Sequence, residues 1–98
     1  MHLEFASEVF RWSARREDFY LAEVPADLSA MIQEMPRPTR GFGSVRVAVT
    51  VGGSEWRTSL FPDAESGTYV LPLKRAVRDA EAIGDGDVIA IEIDVLDV

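Results

Sequence analysis

The segment Val45–Phe61, VRVAVTVGGSEWRTSLF, decides the fold class. Val45, Val47, Val49 and Val51 alternate with Arg46, Ala48 and Thr50, the period-two pattern of a strand with one apolar and one wetter face. Gly52-Gly53 follows at once. Paired glycines accept the positive φ angles of a two-residue turn, so SEWRTSLF is predicted to run back as the second arm of a hairpin. A chain whose middle is a valine-rich hairpin is predicted to be mainly β.

Upstream, the stretch PRPTRGFGS at 36–44 combines two prolines, two glycines and two arginines, which predicts a loop. Before it, Leu28, Met31, Ile32 and Met35 fall at i, i+3, i+4 and i+7, the apolar face of a short helix. Pro25 precedes that helix, and Pro36 disfavours helical geometry at Met35, where the helix should stop. Phe19 to Val24 reads as a strand on its two aromatics. From Leu3 to Trp12 the apolar positions are Leu3, Phe5 and Val9, then Phe10 and Trp12. That change of parity predicts a strand with a β-bulge.

Downstream, Pro62 and DAESG predict a turn, and Thr68 to Leu71 a short strand. Pro72 then suits the first turn of a helix carrying Leu73, Ala76, Val77, Ala80 and Ile83, with Gly84 as its stop. Asp85 and Asp87 read as turn residues bonding local backbone. Val88, Ile89, Ile91, Ile93 and Val95 make the last strand. The order is strand, strand, helix, hairpin, strand, helix, strand: a short-stranded barrel or curled sheet with two helices, in one domain spanning residues 1–98. Phe10, Trp12, Phe61 and Tyr69 are expected to fill its interior.

Composition narrows the function. The chain has 98 residues, 47% hydrophobic and 28% charged, which excludes wholesale disorder and fibrous repeats. Ten Lys+Arg against 17 Asp+Glu give a net charge of -7, which disfavours sequence-independent nucleic-acid binding, since that draws on cations that release phosphate counterions. There is no cysteine, so disulfides, thiolate metal sites and a Cys nucleophile are excluded. The single histidine, His2, supplies neither a Ser/His/Asp triad nor a multi-His metal set. The sequence therefore assigns no catalytic residue, no metal ligand and no cofactor, and predicts a non-enzymatic domain. The start MHLEF lacks the basic and apolar segments of a signal peptide, and no apolar run approaches the ~20 residues of a membrane span. A cytoplasmic setting without membrane contact is expected.

The charge is unevenly spread. Residues 1–36 carry three cations against seven acids, residues 37–62 four against one, and residues 63–98 three against nine. In the basic middle, Arg37, Arg40, Arg46 and Arg57 are interleaved with Phe42 and Trp56. That arrangement suits an anion-binding or stacking surface, or else the solvated face of a hairpin. In the second helix Lys74 and Arg75 occupy the first turn, against the helix dipole. Lys74 and Arg78, four apart, share a face on which a carboxylate or phosphate could rest, with Thr58 and Ser59 as hydroxyl donors. The alternative is that Arg75 pairs with Asp79 and Lys74 is solvated. The candidate ligand-binding set is Arg40, Phe42, Trp56, Arg57, Ser59, Lys74 and Arg78, for a small anionic ligand or a protein partner.

Two stretches resemble known families. YVLPLKRAVRDAEAIGDGDVIAIEI resembles the swapped-hairpin DNA-binding class of AbrB regulators and MazE antitoxins, through Leu71-Pro72, Arg78 and Gly86-Asp87-Val88. More completely, the chain resembles bacterial domain-of-unknown-function family 1905. The matching residues are Gly41-Phe42-Gly43-Ser44-Val45, Trp56 through Pro62, Gly67, Tyr69, Leu71-Pro72, Val77-Arg78 and Gly86-Asp87. Members of that family are sometimes fused to YdeI/OmpD-associated bacteriocin-protection modules. The resemblance implies a double-split β-barrel capped by two short helices and no assigned reaction. The first resemblance implies, as an alternative, a DNA-binding regulator. Its members close the barrel with two chains, whereas this chain has strands enough to close one alone, so a monomer is expected.

Overall fold

The computed structural model describes residues 1–14, 17–35 and 43–96. Its elements are β1 (His2–Ala14), β2 (Glu17–Glu23), α1 (Ala26–Glu34), β3 (Val45–Val51), β4 (Ser54–Asp63), β5 (Thr68–Pro72), α2 (Arg75–Glu81) and β6 (Val88–Val95). The strands close into a barrel in the order β1-β2-β5-β4-β3-β6, every neighbouring pair antiparallel. The protein is a six-stranded antiparallel barrel capped by two helices. Most of the loop expected at 36–44 lies outside the described residues.

The hairpin forms as the sequence predicts. Val45, Val47, Val49 and Val51 all point into the barrel and are buried, and Val51 pairs with Ser54 across the two-glycine turn. Gly52 takes φ +57° there. A Cβ at that position would also collide with the Glu81 carboxylate, whose oxygens accept hydrogen bonds from the Gly53 amide and the Ser54 hydroxyl. One glycine thus serves both the turn and the docking of α2. Ile91, Ile93 and Val95 of β6, Leu3 and Val9 of β1, Leu60 of β4 and Leu71 of β5 complete the core. Each such side chain contributes roughly 1.5–3 kcal/mol by leaving water.

Three expectations are corrected. β1 has no bulge: its pairing with both β2 and β6 runs in unbroken register. Leu3, Phe5, Ser7 and Val9 face inward, so Phe10 and Trp12 simply stand on the outer side of a regular strand. Phe10, Trp12 and Phe61 are accordingly 38%, 55% and 46% exposed, and of the four aromatics expected inside only Tyr69 is buried. The second helix also begins later than its proline suggests. Pro72 ends β5, Lys74 is the N-cap, and the helix closes at Ala82 in the left-handed region (φ 53°) rather than at Gly84. Pro72 is tolerated because a proline at a strand end forfeits no interior ladder bond.

In α1 the helix stops at Glu34 with Met35 extended, as Pro36 requires. Its buried face is Ser29 and Ile32, while Met31 is exposed. The Ser29 hydroxyl donates to the Val24 carbonyl at 3.1 Å and accepts from the Tyr69 amide at 3.1 Å. That buried group fastens α1 to β5. Asp87 closes the turn before β6 by accepting from the Gly84 amide, whereas Asp85 reaches across to the Arg11 amide.

Candidate functional site: a cleft where the barrel is split

β5 is short, and its length creates the site. It pairs with β2 only at Leu21–Glu23 and with β4 only at Phe61–Asp63. Beyond Pro72 the chain leaves the sheet, so Asp18–Tyr20 of β2 and Trp56–Thr58 of β4 have no β5 residue between them. The resulting cleft, about 250 Å³, is lined by those two strand segments, by Pro72, Leu73 and Lys74, and by Arg78 of α2. The Leu73 amide donates to the Tyr20 carbonyl at 2.8 Å and holds the departing chain against β2.

Arg78 is fixed within this cleft. Its Nε donates to the Leu73 carbonyl at 3.1 Å, and its guanidinium carbon lies 3.9 Å from the centre of the Tyr20 ring. A stacked guanidinium with one nitrogen committed keeps its two terminal nitrogens for a further acceptor. Trp56 and Tyr20 are partly buried and pack on the core, so both are rigid walls rather than swinging side chains. Arg57 and Lys74 are exposed. The lining thus has three cations and one carboxylate, Asp18, which also lies 3.9 Å from Arg11.

Of the seven residues singled out by sequence, the structure brings together Trp56, Arg57, Lys74 and Arg78. Ser59 pairs with Arg46 on the adjoining strand and is not in the lining. Arg40 and Phe42 lie outside the described residues. Arg75 is 3.6 Å from Asp79, the pairing alternative considered for it. Lys74 does not stand with Arg75 in the first helical turn, because it is the N-cap and precedes the helix. Thr58, expected as a hydroxyl donor, is in the lining, whereas sequence reasoning missed Tyr20 and Asp18. The useful signal was the brevity of the segment between the DAESG turn and Pro72, which leaves the longer strands on either side unpaired at their far ends.

Elsewhere, His2 on β1 donates from Nδ1 to the Asp94 carboxylate at 2.8 Å and lies 3.6 and 3.9 Å from the Glu92 and Glu4 carboxylates. The hydrogen bond to Asp94, and then the surrounding negative charge, raise its pKa above the ordinary histidine value. His2, Glu4 and Glu92 could each offer one ligand atom to a metal ion, but all three are solvent-accessible and lie remote from the cleft in sequence and strand position. His2 is thus held by acids, and no hydroxyl–histidine pair of the nucleophile–base kind occurs among the described residues. No helix among them is long and apolar enough to cross a membrane.

A comparison with curated proteins finds no match. Residues 5–93 match the family described as Domain of unknown function (DUF1905). That match takes in both helices, all the strands but the outer ends of β1 and β6, and all the described residues of the cleft, and the chain belongs to the DUF1905 family.

Proposed function

We propose that this barrel is a non-catalytic binding domain whose cleft takes a small anion carrying a flat ring, such as an aromatic phosphate or carboxylate. The observation that carries the reading is the convergence of Arg57, Lys74 and Arg78 beside Trp56 and Tyr20 in one concavity. The two rings offer stacking surface, and the cations compensate a negative charge that the rest of an acidic molecule would repel. A single chain closes the barrel, which supports a monomer. The cysteine-free composition suits a cytoplasmic setting.

A DNA-binding regulator draws less support. Of the cations in and beside α2, Arg75 faces Asp79 and Arg78 lies inside the cleft, stacked on Tyr20, where a small anion reaches it more readily than a duplex does. Few are left to release counterions. The test is calorimetric titration of the full chain with phenyl phosphate and, separately, with a short DNA duplex. Saturable phenyl phosphate binding that weakens about tenfold or more in Lys74→Gln and Arg78→Gln is expected. No heat at millimolar phenyl phosphate would overturn the reading. Salt-sensitive duplex binding in its place would favour the regulator.

A further inference from the structure

The outer face of the barrel carries a second, independent feature. Phe10 and Trp12 of β1, Phe19 and Leu21 of β2, Val70 of β5 and Phe61 of β4 all stand outward on adjacent strands. The register places Trp12 opposite Phe19, Phe10 opposite Leu21, and Phe61 opposite Val70. The Trp12 and Phe19 rings are 5.7 Å apart at their centroids. Scattered exposed apolar residues need no explanation, but a contiguous aromatic face across four strands marks an interaction surface. Phe10, Trp12, Leu21 and Val70 of this face line a hollow of about 390 Å³, with residues 62–65 as its remaining wall, to which neither helix contributes a residue.

The chemistry of the occupant follows from the rim and from the backbone. Asp63 and Glu65 line the hollow from the β4–β5 turn. Asp63 is held in place by accepting from the Glu65 amide and the Ser66 hydroxyl. Among the described residues no cation lines the hollow. A second copy of this chain, net charge -7, would bring acids against acids, and an anionic membrane surface would be repelled in the same way. Basic side chains flanking apolar ones are complementary. At Leu21 and Val70, in the middle of the face, β2 and β5 are paired on both sides, and a segment lying across them finds no free edge to pair with. A segment lying on it must arrive with its own backbone hydrogen bonds made, as a helix does. Three strand spacings, about 14 Å, match roughly two and a half helical turns.

We propose that the face formed by Phe10, Trp12, Phe19, Leu21, Phe61 and Val70 docks a cationic amphipathic helix of a partner protein. Its apolar side chains fill the hollow, and its Lys or Arg residues meet Asp63 and Glu65. The site meets the anion cleft only at Phe19 and stands or falls without it.

The test is an NMR titration of the full chain with a Leu/Lys amphipathic helical peptide of about 18 residues, alongside a Leu/Glu counterpart and phosphatidylcholine vesicles. Saturable shifts are expected at the Trp12 indole and the amides of Leu21 and Val70 with the Leu/Lys peptide alone. Affinity should fall about tenfold or more in Trp12→Ser and severalfold in Glu65→Lys, with β3 and β6 amide shifts unchanged as evidence of folding. Absence of shifts at millimolar peptide would overturn the proposal. So would equal binding of the Leu/Glu peptide, or binding of the vesicles only. Concentration-dependent dimers that Trp12→Ser abolishes would assign the face to a second copy and overturn it equally.

Discussion

The two halves of β4 border two different surfaces. Around Trp56–Thr58 the strand has β3 on one side and a gap on the other, and there the molecule presents a concave lining of cations and ring walls. Around Phe61–Asp63 the same strand has β5 on one side and no longer β3 on the other, and there it presents an outward aromatic face beside a hollow rimmed by acids. The difference comes from which neighbour the strand keeps, β3 up to Leu60 and β5 from Phe61. A continuous sheet satisfies its backbone and leaves only side chains to define its exterior. A split sheet opens a recess that a connecting segment and a helix must wall. One barrel can therefore carry surfaces of opposite character within a few residues of each other.

The sharpest way to break this comparison is at the junction. Leu60 is buried and its neighbour Phe61 stands outward, 46% exposed. Leu60→Ala is expected to cost about 2–5 kcal/mol in urea denaturation, and Phe61→Ala to stay within about 0.5 kcal/mol. Equal costs would mean that Phe61 is structural and the outer face is not free. Next in size, Ser29→Ala should cost about 1–3 kcal/mol, because the Tyr69 amide and Val24 carbonyl lose a buried partner where β5 is anchored. The same denaturation series measures it.

On the cleft side, Ala82→Gly should stabilise by roughly 0.5–1 kcal/mol, since Ala82 caps α2 at φ 53°, a conformation that costs an L-residue more than glycine. A rise in thermal midpoint is the readout. The smallest effect lies away from both regions. His2 has a raised pKa through Asp94 and its acidic neighbours, so the folded state binds its proton more tightly than the unfolded chain. Its contribution is then fully present below the unfolded value and lost as pH rises through the folded one. The urea midpoint of His2→Gln should fall below that of the parent chain near about pH 5.5 and converge with it near about pH 8.5.

Local signals made much of the architecture legible. Val45 to Val51 with Gly52-Gly53 specified a hairpin because alternation and turn chemistry are both short-range. Pro25 and Pro36 bracketed α1 for the same reason. Phe10, Trp12 and Phe61 were misplaced because apolar character alone favours the interior. Forcing Phe10 and Trp12 inward required a bulge that the regular register lacks. Four of the candidate cleft residues were visible as cations and an aromatic in one charge segment and one helix. Tyr20 and Asp18 were not, because they join the cleft only through where β5 ends, a long-range property.

The central claim is that the split in the barrel, not the aromatic face, is the anion site. The two tryptophans test it in one spectrum, since Trp56 lines the cleft and Trp12 the outer face. Titrating the full chain with phenyl phosphate should move the Trp56 indole resonance saturably, together with the amides of Tyr20, Lys74 and Arg78, and leave the Trp12 indole in place. Movement of the Trp12 indole with a stationary Trp56, or of neither, would contradict the account.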